Sequence, residues 1–213
     1  MTIALRKKKF FKTRLSLANA FVEKLKTKKF DAISIKDICS ATEVSEATFF
    51  NYFPQKLDII LYLLKIKLFK TFWNIYNFPQ DLSATGRIEK TFELFANEIT
   101  HPYIFFEIIF ILGTQNLRMN SVAISKDEFK YIYPECQKAG EIRLKTLRRY
   151  FAETIQKGIQ KNEFSKNISK PKLVRFLMTI LKGVPLSTPL SEFNRIAALY
   201  QEHLSILWKV FQI

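Results

Sequence analysis

Apolar residues recur three and four positions apart along almost the whole chain, and no alternating segment bounded by turn residues reads as a strand. That periodicity points to an all-α fold. A first helix is expected from about Lys12 to Lys28, burying Leu15, Ala18, Phe21, Val22 and Leu25. Two short helices follow. A long one then starts near Gln55, carries Leu57, Ile60, Leu61, Leu64, Leu68, Phe72 and Trp73, and stops before Pro79, because proline disfavours helix in the residue preceding it. Further helices are expected from Ser83 to Thr100 and from Pro102 to Leu117, with Pro102 where proline favours a helix start. Asn120 to Tyr133 is ambiguous. Beyond it the pattern gives helices from Pro134 to Lys161, from Pro171 to Lys182 and from Ser191 to Phe211, with Gly183, Pro185 and Pro189 marking the break between the last two. No internal repeat or low-complexity linker divides the chain. The expected boundary lies just after Pro54, giving a small three-helix module over residues 1–54 and an all-helical remainder over 55–213, joined by the long helix.

Composition bounds the partners. The 213 residues are 48% hydrophobic, enough for a substantial core. Against 19 Asp and Glu stand 34 Lys and Arg, a formal charge of +15, which favours a polyanion, either nucleic acid or an anionic membrane surface. Two cysteines, Cys39 and Cys136, make no disulfide framework, and a reducing, cytoplasmic setting is expected. No apolar segment of signal-peptide length follows the basic run Arg6–Lys9. The most apolar window, Tyr103 to Leu112, is about half of what a membrane span requires and contains Glu107, so it reads as a buried core helix rather than an insertion.

The most informative segment is residues 34–56, SIKDICSATEVSEATFFNYFPQK. Ser34 can cap a short helix whose inward face is Ile35, Ile38, Cys39 and Thr42, and Ser45 can cap a second by accepting a backbone N–H near Thr48. Between them lies the turn Glu43-Val44-Ser45, the length a helix-turn-helix needs. Val44, Phe49 and Phe53 then point inward, because positions four apart share a face. Left outside are Ala47, Thr48, Asn51 and Tyr52, with Glu46 at the helix start. Asparagine can bond adenine bidentately in the major groove, and threonine or tyrosine can contact bases or phosphates. The stripe holds no cation, so an electrostatic grip is expected from its flanks: Lys36, Lys56, and the arm Arg6–Lys9 with Lys12 and Arg14. The plainer reading of the same segment is a three-helix packing unit with no ligand.

Residues 13–58 resemble the DNA-binding region of the tetracycline-repressor-like (TetR) family. The resemblance rests on Thr13-Arg14 and the Ala20-Phe21 pair, Phe30-Asp31-Ala32, Ser34-Ile35-Lys36-Asp37-Ile38, Val44-Ser45, and the run from Thr48 through Pro54 closed by Lys56. It implies DNA contacts from Ser34, Lys36, Ser45, Glu46, Ala47, Thr48, Asn51, Tyr52 and Lys56. Two departures stand out. Glu43 replaces a frequent turn glycine and would have to adopt a left-handed backbone, at a cost of about 1 kcal/mol. Glu46 replaces a frequent basic residue; it suits the helix dipole but repels phosphate.

The resemblance also implies a dimer, and the last helix supports one independently. Phe193, Ala197, Tyr200, Leu204, Leu207 and Phe211 form one apolar seam, while Ile196, Leu199, Ile206 and Val210 form a second interrupted by His203. A helix apolar on two sides needs two surfaces to pack against, its own subunit and either a partner copy or more of the same core. Aromatics that could line an effector pocket are Phe69, Trp73, Phe92, Phe105, Phe106, Phe110 and Phe176, which would favour an apolar or aromatic small molecule. At helical spacing the same residues also read as plain core. No P-loop, dinucleotide fingerprint or HExxH occurs, so neither catalysis nor a cofactor or metal is expected. The sequence therefore predicts a ligand-responsive repressor that binds a pseudo-palindromic operator as a homodimer. The competing reading is a basic, non-enzymatic helical protein that binds anionic membranes or acidic proteins.

Overall fold

A computed structural model describes residues 4–99, 101–114, 122–136, 146–165, 167 and 169–211. Among these every regular element is helical: α1 (Leu5–Leu25), a 3₁₀ turn (Phe30–Ala32), α2 (Ile35–Thr42), α3 (Glu46–Tyr52), α4 (Leu57–Tyr76), α5 (Ala84–Glu98), α6 (Pro102–Thr114), α7 (Lys126–Ile132), α8 (Leu147–Gln160), α9 (Lys170–Ser187), a 3₁₀ segment (Leu190–Arg195) and α10 (Ile196–Phe211). No single described helix is long and apolar enough to cross a membrane. The chain forms two compact units, Met1–Trp73 with Tyr103–Ile142, and Asn74–Pro102 with Arg143–Ile213. The division does not fall at residue 54. Most of α4 packs with α1, α2 and α3 around one core that includes Leu17, Phe21, Ile38, Phe49, Phe53, Ile59 and Tyr62, and Ile111, Phe129 and Cys136 belong to it too.

In the first unit, α1 starts at Leu5, seven residues before the expected Lys12. The extension, Leu5–Phe11, is hidden because its basic run Arg6–Lys9 breaks the apolar pattern, and the inward position that follows Phe11 is Arg14. That side chain is buried beside Phe11, Leu17 and Ala18 on the same face, and its charge is matched by Glu128 of α7 at 3.2 Å. The ambiguous stretch thus contains a helix, α7, capped by Ser125, whose Oγ accepts from the Glu128 N–H. Parts of the expected helices ending at Leu117 and beginning at Pro134 lie outside the described residues; Pro134 and Glu135 form a turn.

In the second unit, α9 runs through Gly183 and Pro185 to Ser187, where the sequence predicts a break after Lys182. Proline at 185 removes the N–H that would bond the Leu181 carbonyl. The buried Tyr200 of α10 donates its hydroxyl to that carbonyl at 2.7 Å, so the orphaned acceptor is satisfied as the helix continues. Thr188 and Ser187 hydroxyls bond the Val184 and Gly183 carbonyls at the end. At Gly158 of α8, an added Cβ would stand 2.6 Å from the Phe164 ring and 2.7 Å from Ala84, so only glycine allows this approach. Phe92 of α5 fills the centre, 5.9 Å from Phe151 and 5.0 Å from Tyr200.

Candidate nucleic-acid interface

The two short helices are built by local chemistry. Ser34 Oγ accepts from the Asp37 N–H at 3.0 Å and Ser45 Oγ from the Thr48 N–H at 3.1 Å, each cap contributing about 1 kcal/mol. Glu43 closes α2 in the left-handed region at φ 54, as the turn requires, and the Val44 N–H reaches back to the Cys39 carbonyl at 3.2 Å. Downstream, the Asp58 carboxylate accepts from the Gln55 N–H at 3.0 Å and fixes the start of α4. The result is a short helix, α3, held from behind by the fully buried Phe49 and Phe53.

The face it presents differs in part from expectation. Glu46, Ala47 and Asn51 are exposed. Thr48 is half-buried, its hydroxyl sharing a 2.8 Å hydrogen bond with that of Ser45, so both hydroxyls serve the cap. Tyr52 is half-buried with its ring 4.8 Å from Phe10 of α1. Phe50, which the sequence pattern does not single out, is 46% exposed beside Asn51. A signal for it exists, since position 50 lies three residues after Ala47, but a run of aromatics reads by default as core.

The cationic flank is also rearranged. Lys36 is exposed as expected. Lys56 instead turns its ammonium inward, donating to the Phe30 carbonyl at 2.8 Å and the Ile33 carbonyl at 3.0 Å, 4.3 Å from the Phe30 ring centre. Burial lowers its pKa below the usual lysine range, with the nearby Asp31 charge opposing. Arg14 is buried as well, 4.5 Å over the Tyr62 ring and donating to the Ala123 carbonyl at 2.9 Å. Burial raises the pKa of its partner Glu128, and the Arg14 charge opposes that rise. Neither Lys56 nor Arg14 is placed to grip a phosphate. The remaining cations are Arg6, Lys8, Lys9 and Lys12, all exposed on α1, and Lys7, which pairs with Asp127 at 3.0 Å. They lie on a helix rather than an extended arm, and the Phe10–Tyr52 contact sets that turn of α1 beside the end of α3. Positive charge in a first helical turn opposes the helix dipole, so this cluster does not stabilise α1. An anionic partner would.

The other expected sites separate. Phe69 stacks on Phe129 at 3.9 Å within the first unit, where Trp73, Phe105 and Phe106 are half-buried and Phe110 is exposed. Phe92 and Phe176 belong to the second unit, Phe176 lying 6.0 Å from Phe211. A cleft of about 460 Å³ opens between α1 and α2, lined by polar residues including Ser16, Asn19, Lys24 and Thr42 and by none of these aromatics. On α10 and the 3₁₀ segment before it burial cuts across the two stripes, with Ile196 of the second stripe buried and Leu199 half-buried. Phe193, Tyr200, Leu204 and Leu207, the expected dimer seam, are buried within their own unit, Phe211 is half-buried and Ala197 alone is exposed, while Ile206 and Val210 of the other stripe are 62% and 71% exposed. Burial raises both thiols, Cys39 with help from the Glu46 charge, the reverse of what a reactive cysteine needs.

No protein-family model matches the sequence, and no curated protein does. Solved structures do resemble it. A TetR transcription regulator from Haloarcula marismortui superposes with a TM-score of 0.68 at 13% identity, covering 95% of this chain and 99% of that one. A TetR-family regulator from Cytophaga hutchinsonii gives 0.62 at 13% identity, over 100% and 99% of the two chains. The ketosteroid transcriptional regulator of Mycobacterium tuberculosis gives 0.60 at 16% identity, over 94% and 95%. Over nearly its whole length, then, this chain has the all-helical fold of the TetR-family transcriptional regulators.

Proposed function

We propose that this chain is a cytoplasmic, ligand-responsive transcriptional repressor that binds a pseudo-palindromic operator as a homodimer. The observation that carries the reading is α3: two rings anchor it in the core, while Glu46, Ala47, Phe50 and Asn51 stay outside with the α1 cations alongside. Such a face fits a major groove, with Asn51 able to take adenine and α1 able to neutralise flanking phosphates. A net charge of +15 favours the same partner.

Support for the dimer comes from the second unit. Ile206 and Val210 on α10, and Phe176 and Leu186 on α9, are exposed apolar side chains, and a second copy would cover them in a two-fold arrangement. Two α3 helices about 34 Å apart would enter successive major grooves. The effector reading rests on α6, whose sequence is almost entirely apolar yet which leaves Tyr103, Phe110 and Leu112 exposed. An apolar or aromatic molecule held there would release DNA only by binding the non-DNA-competent state more tightly.

The test is to mix the full chain with fragments of its own genome at moderate salt and sequence what is retained. A shared pseudo-palindrome is expected. Uniform recovery of all fragments, or preference for anionic vesicles over any DNA, would contradict the proposal and favour the membrane-binding alternative.

A further inference from the structure

The exposed ring of Phe50 has no role in the fold that accounts for its position. Phe49 on the same helix and Phe53 just after its end are completely buried, yet Phe50 is 46% exposed. Its edge-on contact with Phe49, at 5.4 Å and 86°, braces the base of the ring and leaves the rest projecting from α3. Ala47, one turn earlier, adds a methyl to the same face, and Asn51 follows directly. A phenyl group has neither donor nor acceptor, so it gains nothing from a phosphate and would strip water from one. Its exposed area is relieved only by an apolar surface. Base edges in the major groove offer hydrogen-bonding groups almost exclusively, the exception being the 5-methyl group of thymine.

Resting on the DNA-binding reading above, we infer that Phe50 and Ala47 form a methyl-reading patch that selects thymine, next to the adenine bonded by Asn51. The operator half-site therefore holds an A·T step at its α3 contact, and part of its specificity is hydrophobic. This contribution is independent of salt, unlike that of the α1 cations, because no counterion is released when a methyl is buried.

The experiment uses the full chain and a duplex enriched by it from a random-sequence pool. Each thymine is replaced singly by deoxyuridine, which keeps every hydrogen-bonding group and removes only the methyl. Affinity should fall roughly fourfold at one position per half-site, the effect of one buried methyl, and should be unchanged at the others. Phe50→Ala should bind the thymine duplex more weakly and lose its sensitivity to deoxyuridine there; Phe50→Leu should keep it. An enriched duplex that binds equally well with every thymine replaced, or a Phe50→Ala chain as sensitive as the parent, would overturn the methyl patch and leave DNA binding standing. Failure to enrich any sequence would overturn the DNA-binding reading itself, and the patch with it.

Discussion

Asn51 and Lys56 are both polar residues at the end of the same helix-turn-helix, and the structure gives them opposite duties. Asn51 is exposed on α3, so Asn51→Ala should leave the fold intact and cost about 1–3 kcal/mol at a single base pair, read as altered preference in a panel of single-base operator variants. Equal weakening on every variant would contradict a reading role. Lys56 donates to two backbone carbonyls of the segment before α2. Lys56→Met should therefore lower unfolding stability by about 1–3 kcal/mol, in urea melts, while the salt dependence of DNA binding keeps its slope. A flattened slope with unchanged stability would return Lys56 to the phosphate backbone. The contrast also marks the limit of sequence reading at this scale. Four-residue spacing is enough to send Phe49 and Phe53 inward, but nothing in spacing tells that the carbonyls of Phe30 and Ile33 converge on an ammonium more than twenty positions later.

Among elements, α1 connects the interface to the rest of the first unit. Its first turn is basic against its own dipole, and its buried face carries Arg14 in an ion pair with Glu128. Replacing Arg6, Lys8 and Lys9 by glutamine should weaken binding to every DNA sequence alike and reduce the salt slope by about 0.9 for each phosphate left without a cation, measured as log affinity against log salt. Lys7→Gln should matter less, because its ammonium already meets Asp127. For the buried pair, Glu128→Leu should destabilise the chain by about 3–5 kcal/mol, as it strands the Arg14 charge, and adding Arg14→Met should recover part of that loss in the same melts. Strict additivity of the two changes would mean they do not interact. These features explain which helix ends are legible. Serine caps announce α2 and α3 in the sequence and Ser83 stands at the expected start of α5, whereas Ser125 caps α7 inside a stretch whose pattern is ambiguous, the start of α1 is concealed by the basic run Arg6–Lys9, and the continuation of α9 by a proline whose missing bond Tyr200 replaces.

At the scale of the molecule, α10 has two apolar stripes, and which one its own subunit takes decides where a partner can bind. Sequence alone finds both stripes but cannot rank them, since the choice depends on α5, α8 and α9 being in place. Because Leu204 is completely buried and Ile206 largely exposed, Ile206→Glu should give a folded monomer by sedimentation, whereas Leu204→Glu should unfold the chain. An Ile206→Glu chain that sediments as the parent does would move the dimer surface elsewhere. Sequence-specific DNA binding through α3 underlies the base-preference and salt-slope expectations, and a single pair of titrations addresses it. The full chain is measured against the fragment it retains from its own genome and against a shuffled duplex of equal composition, across a range of salt. Affinity for the first should exceed that for the second by roughly a thousandfold or more, with both falling linearly on a log–log salt plot. Equal affinities for the two duplexes at every salt concentration would contradict it.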